Sequence, residues 1–162
     1  MLRLSKLTDY AVVVLLAMAE RVPEPASAGV RTSPCLAGAT GVPEPTVAKV
    51  LKALSAAGLV ASLRGARGGY RLMRPLEEIS VADVVTAVDG PIALAACIEG
   101  AASPCEVHHS CAAKGQWQLV NDAVCAALGA ISLADMREAA VPPLLRPSGR
   151  PVTSLPFSQI AE

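Results

Sequence analysis

The pattern of apolar and polar positions predicts a helical N-terminal region. Segment 5–20, SKLTDYAVVVLLAMAE, is almost continuously apolar in its second half and predicts a buried helix that Ser5 or Thr8 caps. A stretch rich in proline and glycine follows. It leads to a short second helix, which Ser33 caps and Gly41 ends.

A third helix is predicted over residues 43–57, because apolar side chains recur at helical spacing and Gly58 follows. Its apolar stripe consists of Val47, Val50, Leu51 and Leu54. Thr46, Lys49 and Lys52 lie off this stripe. Two helices joined by a short turn that contains glycine are typical of a helix-turn-helix, although many ordinary helical hairpins share the pattern.

A short β-hairpin is predicted directly after this helix pair. Residues 59–65 and 70–75 form its strands, and ARGG forms the turn between them. The glycines of this region permit positive φ angles and let the backbone come close to a phosphate. Arg64, Arg67 and Arg71 can contact phosphates or enter a minor groove. Helix, turn, helix and basic hairpin in this order indicate a winged helix rather than a surface hairpin with solvated arginines.

Three more helices complete the predicted fold. The first is capped by Ser80, and the last is a short helix capped by Ser132. Between them lies a long amphipathic helix, whose apolar stripe is Trp117, Val120, Val124, Ala127 and Leu128. This stripe must pack on the first helix or on a second subunit. The fold class is therefore mainly α with a small β-hairpin wing: a winged helix-turn-helix plus a long helix.

Charge divides the chain into two halves, although its formal net charge is +0. Residues 1–75 hold ten Lys/Arg and four Asp/Glu, a balance of +6, and the remainder carries −6. This asymmetry favours a polyanion as the partner of the first half, against a chance difference between solvated surfaces. Aromatic residues are only 2% of the chain, so its core must be built from Ala, Val and Leu, which favours helices.

The longest apolar run, AVVVLLAMA, is too short to span a bilayer, which takes roughly 20 residues. The N-terminus is a poor signal peptide, because Asp9 interrupts it and no good cleavage site follows. We therefore expect a cytoplasmic protein with no membrane partner. In that compartment its five cysteines are expected to be metal ligands, reactive thiols or core residues rather than disulfides.

Three cysteines lie close together after the fourth predicted helix. Cys97, Cys105 and Cys111 have the spacing C-x7-C-x5-C, and His108 and His109 lie between the last two. Such a set can hold a soft metal. Because the spacing is not C-x2-C, a zinc ribbon is disfavoured. An iron–sulfur cluster, a zinc site, redox thiols and a structurally incidental set of cysteines all stay open. The two other cysteines, Cys35 and Cys125, are predicted to be small core residues.

The motifs together resemble one bacterial family. The stretches are LRLSKLTDYAVVVL, GVPEPTVAKVLKALSAAGLV, SLRGARGGYRLMRP and EEISVADVVTAVDGPIAL, with the cysteine loop, WQLVNDAV and ISLADM. They cover nearly all of residues 2–138 and resemble the Rrf-type winged-helix transcriptional regulators, the group of IscR, NsrR and RirA. The resemblance is strongest to the branch that regulates the Suf iron–sulfur assembly system. The most specific signal is the Arg-Gly-x-x-Gly-Gly-Tyr-x-Leu wing with three cysteines downstream.

The resemblance implies a homodimer held by the long helix and bound to double-stranded promoter DNA. It implies that the second helix of the helix-turn-helix enters the major groove and the wing enters the minor groove. The expected DNA-binding residues are Thr46, Lys49 and Lys52 on the helix, and Arg64, Arg67, Tyr70 and Arg71 in the wing.

The resemblance also implies an iron–sulfur cluster, for which we expect [2Fe–2S] rather than the [4Fe–4S] of some members. Its ligands by motif position are Cys97, Cys105 and Cys111. The gap of seven residues after the first of them is longer than in IscR-like members.

The fourth ligand is where this sequence departs from part of the family. Some relatives have a histidine where this chain has Lys114, which cannot serve as a ligand. Other relatives use an acidic residue at the start of the first helix, supplied by the partner subunit, and Asp9 occupies that position. His108 and His109 are local alternatives.

The sequence thus predicts three segments: a winged helix-turn-helix DNA-binding domain (1–78), a cluster-binding loop with a dimerisation helix (79–140) and a Pro-rich disordered tail (141–162). The predicted function is a transcriptional regulator, not an enzyme, whose operator affinity is switched by the cluster and which controls Suf genes. The alternatives are a winged-helix regulator without a cluster that senses zinc or thiol oxidation, and an iron–sulfur carrier. A thiol enzyme with Cys105 as nucleophile and His108 as base lacks a third, orienting group.

Overall fold

The computed structural model describes residues 4–20, 29–65, 68–98, 101, 105, 111, 113 and 115–138. In chain order the elements are α1 (Lys6–Ala19), α2 (Ser33–Thr40), α3 (Glu44–Ala56), β1 (Val60–Leu63), β2 (Gly69–Leu72), α4 (Val81–Asp89), α5 (Gln116–Gly129) and α6 (Leu133–Glu138). A 3-10 turn at Leu76–Glu78 precedes α4. The predicted fold class, helices with one two-stranded antiparallel hairpin, is confirmed. The predicted tail at 141–162 lies outside the described residues.

Side-chain caps set the starts of the helices. Ser5 caps α1 by accepting a hydrogen bond from the Thr8 backbone N–H. Ser80 caps α4 within a complete capping box, as predicted for its hydroxyl. The predicted cap of α2 is wrong, because Thr32 has the extended backbone of a cap and accepts from the Cys35 N–H. Ser33 is instead the first helical residue, and its buried hydroxyl oxygen has no hydrogen-bond partner among the described residues.

One hydrophobic core joins the two halves of the chain. The α3 stripe is fully buried as predicted, and it packs with α1 and with the neighbouring helices α2 and α4. Leu133 and Ala134 of α6 belong to the same cluster, so the chain returns to the winged helix after α5. Burial of several large aliphatic side chains, each contributing about 1.5–3 kcal/mol, is the main stabilising term of this domain.

The N-terminus of α6 is fixed beside the start of α4. Ser132 forms an antiparallel backbone bridge with Ser80. Its side chain and its backbone N–H both donate to the Asp135 carboxylate. These two bonds, the side-chain one foremost, hold the pKa of Asp135 below its ordinary value.

The prediction that Cys35 is a core residue is wrong. Cys35 is exposed, because the buried side chain of the short helix α2 is that of its neighbour Leu36. Cys125 is half-buried on α5. All five thiols are free.

The hairpin is held to the body of the domain by a residue far from it in sequence. Within the hairpin, Ser62 pairs with Tyr70. On the other side of β2, Arg31 and Tyr70 exchange both backbone hydrogen bonds at 2.7 Å, which adds a one-residue third strand. The Arg31 guanidinium also donates to the Glu20 carbonyl at the end of α1. The hairpin therefore projects from a fixed base.

Glycine is required at the hairpin turn for steric reasons. A Cβ at Gly68 would collide with the Leu63 carbonyl oxygen and lie 2.8 Å from that of Gly65. At Gly69 a Cβ would lie 2.7 Å from the Arg31 carbonyl oxygen. The Gly-Gly pair of the wing motif therefore closes the turn and admits the third strand.

Replacing Gly68 with Ala is expected to destabilise the domain by about 1–3 kcal/mol, because the added methyl group overpacks the turn against backbone atoms. The matched control is Gly38→Ala. Gly38 lies inside α2 with open space around it, so alanine is expected to stabilise that helix by about 0.8–1 kcal/mol. Urea unfolding of the two variants measures both effects, and equal midpoints would contradict the steric account of the turn.

The outer face of α5 is exposed in the part of the chain that the structure describes. Leu119 is 77% exposed, and Trp117 and Val120 are nearly half exposed. Val124, Ala127 and Leu128 of the predicted stripe are half-buried. Within the described residues, no helix combines the length and the apolarity that crossing a bilayer requires.

Candidate nucleic-acid interface and cysteine connection

The helix α3 presents a basic face to solvent. Its buried stripe occupies one side of the helix, and Lys49 and Lys52, one turn apart, are exposed on the opposite side. Thr46 lies at the edge of this face and is half-buried. Pro45 and Ala48 are exposed on the same side and carry short side chains. A helix with this profile can lie in a major groove with its two ammonium groups near phosphates.

The wing adds two described arginines to this surface. Arg64 and Arg71 are exposed on the hairpin that directly follows α3. Tyr70 is half-buried and packs against the core, while its backbone joins β1 to the third strand. Arg67 lies outside the described residues. In the described part of the wing, neither arginine forms an ion pair, so both charges are available to an anionic partner.

Arg74, at the base of the wing, differs from these two. It approaches the Asp83 carboxylate at 3.9 Å and donates to the Glu78 carbonyl. A half-exposed pair of this kind contributes little to stability, but it holds the arginine against α4. The positive charge of the wing is therefore concentrated at the tip and along β2.

The three clustered cysteines lie in the connection between α4 and α5. Cys97 lies in a turn shortly after α4, and Cys105 and Cys111 follow it along the chain; all three are half-buried free thiols. Their donor chemistry suits a thiophilic metal or cluster. Among the residues that the structure describes, no three His, Cys, Asp or Glu side chains converge in a way that would hold a metal ion.

Of the three candidates for a fourth ligand, Asp9 is among the described residues. Asp9 is exposed in the first turn of α1, where it lines a surface depression with Lys6, Val12 and Met136. His108 and His109 lie outside the described residues.

Sequence reasoning missed Asp89, the last residue of α4. Its carboxylate accepts hydrogen bonds from the Ser5 hydroxyl at 2.8 Å and from the Thr8 hydroxyl at 2.7 Å. A carboxylate is unfavourable at the C-terminus of its own helix and favourable at the N-terminus of another. An aspartate at the end of α4 was therefore a signal that the helix meets a positive partner, here the start of α1.

Asn121 was missed as well. It lies in the middle of α5 and is only 4% exposed. Its Oδ1 accepts from the Leu94 backbone N–H at 3.1 Å, and its Nδ2 donates to Cys125 Sγ at 3.6 Å. Asparagine is a poor helix former, so its place among the apolar residues of α5 was a sign of a specific buried partner.

Comparison with known proteins identifies the family of this chain. The model of the Rrf2 family, described as an iron-dependent transcriptional regulator, matches residues 4–139. Protein aau3 of Rhizobium meliloti is 38% identical over 116 residues, which are 68% of this chain and 68% of that protein. Rv1287 of Mycobacterium tuberculosis, named as an HTH-type transcriptional regulator, is 40% identical over 92 residues, 57% of this chain and 55% of the relative.

Two solved structures share the fold at sequence identities above 25%. CymR, the global cysteine regulator of B. subtilis, superposes with a TM-score of 0.62 at 26% identity, over 86% of this chain and 98% of that one. IscR of T. potens superposes with a TM-score of 0.57 at 28% identity, over 86% of this chain and 89% of that one. With a basic helix and wing built on this fold, and a family model matched over residues 4–139, the chain belongs to the Rrf2 family of transcriptional regulators.

Proposed function

We propose that this Rrf2-family, DNA-binding transcriptional regulator is a homodimer whose operator affinity is switched by an iron–sulfur cluster. We further propose that it controls genes for iron–sulfur cluster assembly of the Suf type. The observation that carries the proposal is the combination of a basic α3–wing surface with three free thiols in one connection of the same domain. The similarity to an IscR supports it.

The DNA contacts would come from α3 and the wing. Lys49, Lys52, Arg64 and Arg71 are exposed cations on consecutive elements, and Thr46 would meet base edges. Arg67 and Tyr70 complete the proposed set. A dimer presents this surface twice, so a pseudo-palindromic operator with half-sites about one helical turn apart is expected.

The cluster would be held by Cys97, Cys105 and Cys111, with Asp9 of the partner subunit as fourth ligand and His108 or His109 as alternatives. Three free, partly accessible thiols are the donor set that such clusters need, and we expect [2Fe–2S] rather than [4Fe–4S]. When bound, the cluster supplies redox chemistry, and the occupancy of its site would follow the supply of iron and the level of oxidants.

The proposal is tested on protein purified without oxygen, by its visible absorption and by counting iron and acid-labile sulfide. Matched iron and sulfide are expected in the wild-type protein, and serine at position 97, 105 or 111 is expected to remove most of both. Cys35→Ser is the matched control, because Cys35 is an exposed thiol on α2, away from the connection. Asp9→Ala against His108→Ala and His109→Ala assigns the fourth ligand. A colourless protein that cannot be reconstituted would overturn the cluster proposal.

Control of Suf-type genes has its own test. Genomic fragments retained by the cluster-loaded dimer at physiological salt are sequenced. Enrichment of DNA upstream of iron–sulfur assembly genes is the expected result. If the retained fragments lie elsewhere, control of Suf-type genes is contradicted, while the proposal of a cluster-dependent regulator is not.

A second candidate function is a regulator that senses zinc or thiol oxidation without a cluster. One observation favours it: CymR, named as a cysteine regulator, shares the fold at 26% identity. Zinc in the purified protein, or an operator affinity that changes on mild oxidation of iron-free protein, would support this candidate. Neither the zinc nor the oxidation-dependent affinity is expected if the cluster is the signal.

A further inference from the structure

Two buried polar side chains bond to the two ends of one short segment, Thr8 to the Asp89 side chain and Asn121 to the Leu94 backbone. Among the described residues, Thr8 and Asn121 are the polar side chains that are buried, at 1% and 4% exposure. One is on α1 and the other on α5, 113 positions away in sequence. Both form hydrogen bonds to the segment 89–94, named here the 89–94 bridge.

The first end of the bridge is fixed to α1. Thr8 and Ser5 donate to the two oxygens of the Asp89 carboxylate, while Ser5 also caps α1. This places a negative charge at the positive end of α1, and it joins the C-terminus of α4 to the N-terminus of α1. Since α1 packs against α3, the bridge is one element away from the proposed DNA-binding helix.

The second end is fixed to α5. The amide N–H of Leu94 has its partner in the Oδ1 of Asn121, and the other half of the Asn121 amide is used by Cys125 Sγ. A backbone donor that loses a buried partner is costly, so this bond selects one position of the bridge along α5. Cys97 lies three residues beyond Leu94.

We infer that Asn121 is a positioning residue, which fixes the 89–94 bridge against α5 so that the state of the cysteine connection is transmitted to the DNA-binding face. This inference rests on the proposed function. The path runs from Cys97 through the bridge to Asn121 on one side, and through Asp89 and Thr8 to α1 and α3 on the other. A coupling of this kind is a difference in free energy between two sites, so it is measured as a ratio of affinities.

The test compares Asn121→Leu with Gln118→Leu. Both substitutions replace an amide by leucine on α5, but Gln118 is exposed and bonds Asp122 within its own helix. The first readout is hydrogen exchange of residues 90–98 in cluster-free protein. Asn121→Leu is expected to speed exchange at the Leu94 amide by about 10-fold or more, and Gln118→Leu is expected to leave it unchanged.

The second readout is the ratio of operator Kd values with and without the cluster. In Asn121→Leu this ratio is expected to approach 1, with the salt dependence of DNA binding retained. If the wild-type ratio persists in Asn121→Leu, the inference is overturned while the proposed function stands. If the wild-type protein itself has a ratio of 1, the proposed function fails, and hydrogen exchange alone decides whether Asn121 positions the bridge.

The other end of the bridge provides a second variant in case Asn121→Leu does not fold. Thr8→Val keeps the shape of the side chain and removes the hydroxyl that donates to Asp89. It is expected to bring the same ratio of operator Kd values closer to 1 without changing the iron content of the protein. An unchanged ratio in Thr8→Val would contradict transmission through α1.

Discussion

Replacing Lys49 and Lys52 together by alanine is expected to weaken operator binding on the order of 1,000-fold at 0.1 M salt. Both ammonium groups are exposed on the face of α3 opposite to its buried stripe, so their loss leaves the core intact. In a dimer the change removes four cations from the interface. Each phosphate contact releases about 0.9 counterion, so the slope of log K against log salt is expected to fall by about 3–4.

The matched control is the double variant Lys6→Ala with Arg137→Ala. It removes the same charge from exposed positions on α1 and α6, outside the α3–wing surface. Its affinity and salt slope are expected to stay close to those of the wild-type protein. Fluorescence anisotropy with a labelled operator at several salt concentrations measures both quantities. Equal losses in the two variants would mean that only the net charge matters and that α3 is not the binding element.

The parts of the fold that could be predicted from the sequence are those governed by local rules. The apolar stripe of α3 is a helical period, and Ser80 with Asp83 is a capping box, so neither depends on the rest of the chain. The hairpin was predicted from its glycines, and the structure adds the steric reason. Cys35 shows the limit of composition: a small apolar residue is buried only if its position on the helix faces the core.

The contacts that sequence reasoning missed join residues far apart in the chain. Arg31 pairs with Tyr70, Asp89 with Thr8, and Asn121 with Leu94. Each contact depends on how helices pack, which a single sequence does not specify. Asp89 and Asn121 nevertheless left a local sign, because each is unfavourable in its own helix and needs a partner elsewhere. The cysteines are the opposite case, since their chemistry is evident in the sequence and their assembly is not found among the described residues.

The exposed side of α5 also indicates a missing partner, because a large apolar side chain that faces water in one subunit is better placed in an interface. Leu119 points away from the buried side of α5, and the exposed Ala123 and Ala126 follow it one and two turns later. Small residues beside a leucine allow two helices to approach closely. This stripe on α5 is therefore where the proposed homodimer interface is expected to be centred.

Leu119→Glu is expected to convert the protein to a monomer at micromolar concentration and to weaken operator binding. An unpaired carboxylate buried in an interface costs about 3–5 kcal/mol, which corresponds to a dimer Kd that rises roughly 100- to 4,000-fold. Sedimentation equilibrium measures the change directly.

Thr86→Glu, which adds the same charge to an exposed position on α4, is the control and is expected to stay dimeric. A Leu119→Glu protein that is still a dimer would place the interface on another face, whereas a monomer with an unchanged circular dichroism spectrum would place it on α5. Because a monomer contacts only one half-site, its operator affinity is expected to fall together with the dimer, even though Leu119 touches no DNA in the proposed arrangement.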